Sequence, residues 1–281
     1  MENNFPFQEA LPKDLLFRED ICELSVHMWP SISIPFGTQS VLVYTYTLMI
    51  GVGLCHLFIG VDAASRRTGM PREESGRYLY CLGIASAGGW FVSSLTTRWL
   101  YAGNAPWGTT AALPGLIGGF LILCLCVKLF RVRLKMYLGL TVPYICYMHA
   151  WGRLGCFLGG CCHGAPTDLF LGIQFPPESR ACQIHGDVPV HPTQLYEMCL
   201  LIGLGVATQI RTTQHHRITV YLIGYGVGRF CIEFLRGDDR GSLGLIPGLS
   251  PSQHLAILFV TAGTAWWIQR NRIFKQQCRK V

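Results

Sequence analysis

From residue 40 onward, long apolar runs are broken by short basic, glycine-rich or proline-rich stretches. Crossing a bilayer takes about 20 mainly apolar residues. The runs at roughly 40–60, 78–100, 111–130, 136–158, 193–210, 218–235 and 251–269 therefore predict seven helices of membrane-crossing length. One long polar excursion interrupts them, residues 159–192. It carries Pro166, Pro176, Pro177, Pro189 and Pro192, which rules out a long helix there. Within it, Leu171-Gly-Ile-Gln-Phe175 has the pattern of a strand in a small subdomain. Before the first run, Phe5, Phe7, Leu11, Leu15, Leu16 and Phe17 suit either an interfacial helix or an unstructured start. Residues 1–38 are polar and acidic and lack the basic-then-apolar order of a cleavable signal peptide.

The expected organisation is an N-terminal segment (1–38), an all-α integral membrane domain (39–269, including 159–192) and a basic tail (270–281). Composition agrees: only 14% of residues are charged and mean hydropathy is +0.33, against about 25% charged in a soluble domain. The net charge of +7 raises the question of nucleic acid, which its placement answers. Arg66, Arg67, Arg72 and Arg77 follow the first run, and Lys128, Arg131, Arg133 and Lys135 follow the third. Arg211 and Arg217 join the fifth and sixth, and Arg270, Arg272, Lys275, Arg279 and Lys280 follow the last. If seven helices alternate, all of these fall on one side. The positive-inside rule then puts the N-terminus and the 159–192 loop outside and the C-terminus in the cytoplasm.

Two arginines stand out because they lie inside apolar runs, Arg153 in 149–157 and Arg229 in 221–234. An arginine at bilayer depth is costly and is normally kept for an anion, a partner carboxylate or a water-filled cavity. Tyr225, Arg229, Glu233 and Arg236 are spaced four, four and three residues apart, so a helix gives them one polar stripe. That stripe supports an internal Arg229–Glu233 pair. It equally supports Glu233 orienting a guanidinium fork that grips phosphate or ester oxygens. The flanking glycines, Gly115 and Gly155 among them, either pack helices closely or let backbone approach a ligand.

Two further segments carry possible chemistry. Gly152-Arg-Leu-Gly-Cys-Phe-Leu-Gly-Gly-Cys-Cys-His-Gly164 offers Cys156, Cys161, Cys162 and His163, and Cys182 follows in the loop. The spacing does not match a C-x2-C knuckle, and a disulfide, a buried thiol group and a metal site all remain open. Val190-His-Pro-Thr-Gln-Leu-Tyr-Glu197 opens a helix at its proline. His191 or Thr193 is placed to cap it, and Gln194, Tyr196 and Glu197 project from its first turn. Leu249-Ser-Pro-Ser-Gln-His254 has the form of a capped start to the last helix.

Taken together, Gly152-Arg-Leu-Gly-x-Phe157, His191-Pro-Thr-Gln-Leu-Tyr-Glu197, Gly224-Tyr-Gly-x-x-Arg-Phe-x-x-Glu-Phe234 and Leu249-Ser-x-x-Gln253 resemble prolipoprotein diacylglyceryl transferases, in order and spacing, over roughly 40–269. The resemblance implies seven helices in a bacterial inner membrane with the N-terminus outside. It implies transfer of diacylglyceryl from phosphatidylglycerol to a lipobox cysteine of a prolipoprotein, releasing glycerol phosphate, with neither cofactor nor metal. On this basis Arg153, Arg229, Tyr225, Glu233 and His191 are expected to be catalytic. Tyr46, Gly115, Gly155, Gln194, Tyr196, Glu197 and Arg236 are expected to bind substrate. The chain departs from the family where His-Gly-Gly-Leu-Ile-Gly is usual, since Leu113-Pro-Gly-Leu-Ile-Gly118 stands there. Two family asparagines and a glutamate are also replaced, by Cys156, Gly159 and Cys161. These changes leave His163 as a substitute base, and leave open a different acceptor or a lipid-binding or transport role.

Overall fold

The computed structural model describes residues 31–36, 39–100, 112–210, 216–238 and 246–278. A hairpin of β1 (Ser31–Phe36) and β2 (Gln39–Tyr44) leads into α1 (Thr45–Arg67), α2 (Arg72–Leu100), α3 (Ala112–Leu129) and α4 (Leu134–Leu158). After the short α5 (Arg180–His185) come α6 (Thr193–Ala207), α7 (Arg217–Glu233) and α8 (Pro251–Cys278). Regular secondary structure in the described part is helical apart from this hairpin and a few isolated bridges. Among the described residues each predicted apolar run overlaps one of seven long helices. The first run is the exception in detail: residues 40–44 pair as strand β2 and the helix begins at Thr45. A continuous apolar stretch does not reveal that change of backbone, because buried strand and helix share it. The proposed interfacial helix over residues 5–17 lies outside the described residues.

By length and composition, α1 and α2 are apolar enough to cross a membrane. Along α3 and α2, Leu116, Ile117, Phe120, Leu121, Leu125, Trp90, Phe91 and Leu95 stay exposed. Water does not tolerate a contiguous apolar surface of this kind on a monomer, which is consistent with a membrane protein.

Helices α2 and α3 pack together, as do α1 with α4, α7 with α8, and α4 with α6. Close approach depends on glycine where backbones nearly touch. A Cβ at Gly89 would sit 2.8 Å from the Gly115 carbonyl, and one at Gly226 would sit 2.8 Å from the Ala256 carbonyl. At one end of the bundle Tyr78, Cys81, Leu123, Cys126 and Tyr137 form a dry core. Pro143 inside α4 has no N–H to offer the Gly139 carbonyl four residues back. The Arg217 guanidinium takes that carbonyl at 3.3 Å and also donates to Thr208 O at 2.8 Å, tying the start of α7 to α4 and the end of α6.

The 159–192 loop has its own core of Ile173, Phe175, Ala181 and Val190 against Phe157. The expected strand 171–175 is reduced to one bridge, Ile173 with Val190. The prolines around it leave too few N–H groups for a ladder.

Candidate functional site

The ends of α4 and α7 converge on Glu197 at the start of α6, and the start of α8 joins them through Arg229 and Glu233. The Glu197 carboxylate is fully buried in the first turn of α6. Its Oε1 lies 2.9 Å from Arg153 of α4 and accepts a 2.8 Å hydrogen bond from the Tyr225 hydroxyl of α7. Its Oε2 is 3.8 Å from Arg229 Nε. Both arginines singled out by the sequence therefore meet on one carboxylate. Arg229 also stands 2.6 Å from Glu233, close in distance but outside hydrogen-bond angles, and donates to Ser252 Oγ at 3.0 Å.

The polar stripe of α7 forms as the helical spacing requires for Tyr225, Arg229 and Glu233. Arg236 leaves it, because α7 ends at Glu233. It pairs across a bridge with Gly164 and its guanidinium grips Asp238 with two bonds of 2.7 and 2.6 Å. Asp239 and Arg240, the next residues of that polar path, lie outside the described residues. Glu233 is held from the other side by the Ser250 hydroxyl at 2.6 Å. Ser250 and Gln253 cap α8 reciprocally, Gln253 N to Ser250 Oγ at 3.2 Å and Ser250 N to Gln253 Oε1 at 3.0 Å. One serine thus starts a helix and steadies a buried glutamate.

Burying two arginines and two glutamates costs several kcal/mol per ion unless every group is matched, and the match here is incomplete. Arg153 Nε, Arg229 Nη1, Glu197 Oε2 and Gln194 Oε1 are all buried without a hydrogen-bond partner. Unused guanidinium N–H groups at such depth are placed to take oxygens of a further group, phosphate or ester. Elsewhere on α7 a groove of about 280 Å³ runs between α7 and α8, lined by Gly226, Val227, Phe230, Cys231, Ile257, Val260 and Thr261. All its contacts suit hydrocarbon.

The other expected site residues divide. Gln194 donates to Cys161 O at 2.7 Å, and Gly155 lets Tyr46 of α1 approach, a Cβ there meeting its Cα at 3.2 Å. Tyr46 lies within electrostatic reach of Arg153 and of the three neighbouring cysteines. Tyr196 turns to His191, hydroxyl to Nδ1 at 3.3 Å. Gly115 is not brought to the arginines but packs on Gly89 and Ser93 of α2. The side chain of Leu113 lies outside the described residues. Neither His191 nor Thr193 caps α6, whose N-cap is Pro192 with no side-chain bond. Thr193 instead donates to Cys162 O at 2.8 Å. His163 is fully buried edge-on against His185, with Nδ1 on the Gly164 carbonyl and Nε2 without a partner. Burial, the larger influence, holds His163 and His191 below the usual histidine value. The Sγ atoms of Cys156, Cys161 and Cys162 lie within 4.8 Å of one another, while Cys182 sits in α5.

His149, Ser250 and Ser252 also belong to the cluster, although the sequence pattern assigns His149 no role and marks the two serines only as part of a helix start. His149 stacks obliquely on Tyr225 at 5.2 Å and reaches Glu197 at 3.7 Å. Its signal was present, since it precedes Arg153 by four residues and so shares its helix face.

Comparison with known proteins identifies the family. The family model for prolipoprotein diacylglyceryl transferase matches residues 33–269. A phosphatidylglycerol–prolipoprotein diacylglyceryl transferase 2 of Clostridium perfringens is 30% identical over 233 residues, 79% of this chain and 88% of that protein. A phosphatidylglycerol–prolipoprotein diacylglyceryl transferase of Halalkalibacterium halodurans is 29% identical over 82% of this chain and 83% of its own length. One from Clostridium tetani is 35% identical over 53% of this chain and 59% of its own. Matched along nearly all of its described helices, the chain belongs to the prolipoprotein diacylglyceryl transferase family.

Proposed function

We propose that this protein moves the diacylglyceryl group of phosphatidylglycerol to the lipobox cysteine of a prolipoprotein, releasing glycerol phosphate. The observation that carries it is the pairing of Arg153 and Arg229 on Glu197 with one N–H of each left buried and unused. Charge builds on the phosphate oxygens as the lipid carbon–oxygen bond breaks. Preorganised donors aimed at such charge commonly supply the largest share of catalysis. Glu197 and Glu233 keep both guanidiniums fixed before substrate arrives, and Tyr225 fixes Glu197. The apolar α7–α8 groove, on the helix that carries Arg229, accommodates acyl chain while the head group lies at the arginines.

In this reading the seven long helices cross the bacterial inner membrane with the site at the outer end. Family membership and the apolar helices support a membrane location. The orientation rests on the basic residues. Glu74 of α2 bonds Arg133 before α4, and Arg217 of α7 bonds Gly139 of α4, so these starts share one end. Arg153 and Arg229 lie near the other ends of α4 and α7. His191, Gln194, Tyr196 and Arg236, at or just beyond the same ends of α6 and α7, are assigned to the acceptor peptide.

Phosphatidylglycerol labelled in the glycerol head group, presented in detergent micelles with a lipobox peptide, tests the assignment. Labelled glycerol phosphate released together with a diacylglyceryl peptide is expected. Release with a different lipidated product would move the assignment to another acceptor, and lipid binding without turnover would remove it.

A further inference from the structure

The three-cysteine cluster beside Arg153 is built by the backbone. Helix α4 ends in a paired-bond turn: Gly160 N bonds Phe157 O at 3.1 Å, Cys161 N bonds Cys156 O at 3.1 Å, and Gly160 has φ +64°. In this ending the residue after the left-handed position folds back over the one five places earlier, usually to make an apolar contact. Here those two positions are Cys161 and Cys156. Cys162 then takes φ +63°, a left-handed conformation that only a few per cent of non-glycine residues adopt. The turn is pinned by Gln194 on Cys161 O and Thr193 on Cys162 O. The result is three sulfurs within 4.8 Å, with Cys156 buried and the other two half-buried. A disulfide needs two thiols; the backbone has brought three together.

Three thiols on one side of a small space match the protein half of a zinc site that keeps one position open. Sulfurs on a shared tetrahedral zinc lie about 3.8 Å apart, so the cluster has only to tighten. Three thiolates on a divalent ion carry net negative charge, and two guanidiniums face it: Arg236 within hydrogen-bond reach of Cys162, and Arg153 one helical turn before Cys156. Thiolate ligands favour zinc over magnesium, calcium or manganese.

We infer that Cys156, Cys161 and Cys162 bind one zinc ion, and that its open fourth position takes the acceptor cysteine as a thiolate. This rests on the transferase assignment above and names how the acceptor is handled. A coordinated thiol loses its proton at neutral pH, so no strong base is needed near the arginines. The acceptor proton goes to solvent as the thiol binds zinc. A sulfur lone pair then attacks the lipid glyceryl carbon, forming the carbon–sulfur bond. The carbon–oxygen bond to phosphate breaks, its electron pair leaving with glycerol phosphate, whose charge meets Arg153 and Arg229. No group changes oxidation state, and the thioether, a weaker ligand, leaves the metal.

The test uses the full chain in detergent micelles with phosphatidylglycerol, reduced and loaded with zinc or with cobalt(II) as its spectroscopic substitute. One metal per chain is expected, with thiolate-to-cobalt charge-transfer absorption. Cys156→Ser, Cys161→Ser and Cys162→Ser should each weaken metal binding at least tenfold. Adding a lipobox peptide should alter the cobalt ligand-field bands, and the same peptide with its cysteine changed to serine should not. Transfer should stop in a zinc chelator and return with added zinc. A disulfide joining two of the three cysteines, or no stoichiometric metal on the reduced protein, overturns the site. Undiminished transfer by metal-free Cys162→Ser overturns the inference and leaves the transferase assignment standing. A peptide-dependent cobalt shift with no lipid product does the reverse.

Discussion

The chain contains two arginine–glutamate systems that differ in what they leave undone. At the basic end, Arg133 and Glu74 close on each other completely. The Arg133 backbone N–H and Nε donate to Glu74 Oε1 at 2.9 and 3.0 Å, and Nη2 donates to Oε2 at 2.6 Å. Both carboxylate oxygens are used, and the arginine side chain is 55% exposed. At the opposite end Arg153 and Arg229 are far more deeply buried than Arg133, at 17% and 6% exposure, yet each keeps an N–H with no partner. The same residue types have been satisfied where they join two helices. They have been left short where desolvation makes shortage most costly. Full satisfaction is the mark of a structural tie. A buried shortage that persists in a folded chain points to a ligand that completes it.

The sharpest way to break that contrast is Arg229→Ala. It removes the group that meets Glu197, Glu233 and Ser252 together. Losing one preorganised donor to a developing anion costs about 10²–10³ in turnover. Transfer from labelled phosphatidylglycerol should fall by at least that much while the variant still elutes as a folded species. Normal transfer by a folded Arg229→Ala protein would end the anion-binding account.

Next in size is Glu197→Ala, which strands Arg153 and Arg229 as uncompensated buried cations. Breaking a buried pair by removing one partner costs about 3–5 kcal/mol, visible as a lower thermal unfolding midpoint in detergent. Glu197→Gln keeps an oxygen for the Tyr225 hydroxyl and should lose less stability. If Glu197→Gln unfolds like the parent, the carboxylate charge is not what holds the arginines; if the two variants unfold alike, the charge accounts for the whole loss and the Tyr225 bond adds nothing.

Much of this arrangement was legible in the sequence, for a local reason. Hydropathy marks each long helix, since a side chain facing lipid or the bundle interior must be apolar at every turn. The Tyr225, Arg229 and Glu233 stripe follows from spacing within one helix. Glu197 as the hub was harder to see, because its partners Arg153, Tyr225 and Arg229 come from other helices and their convergence depends on tertiary packing. Gly115 misled because a glycine needed for helix contact and one needed for ligand contact look identical in sequence. The meeting of Cys156 with Cys161 hinges on the left-handed Gly160, and no hydropathy pattern encodes that.

A smaller effect separates the loop from the arginine cluster through pH. Burial lowers His191, so the folded protein prefers its neutral form. The unfolded chain protonates near the ordinary histidine value of about 6.5. The stability linked to this neutral imidazole is therefore full above that value and is lost as pH falls below it toward the lower folded value. The unfolding midpoint should drop between about pH 7 and pH 5, and His191→Gln should flatten the drop in part, His163 retaining its share. An equally steep drop in the variant would show that His191 does not contribute.

The smallest effect is expected from Arg133→Ala, and its smallness is informative. This arginine makes more hydrogen bonds to its glutamate than Arg229 makes to either of its own. If catalysis depended simply on strong arginine–glutamate pairing near the helix ends, losing Arg133 should hurt transfer as much as losing Arg229. An arginine that is half exposed, with its remaining donors open to water and both oxygens of its glutamate already taken, offers no buried donor to a ligand. Transfer by Arg133→Ala should stay within about twofold of the parent, a change of under ~0.5 kcal/mol in the barrier. A large loss of transfer there, with the fold intact, would mean that unsatisfied donors are not what distinguishes the site.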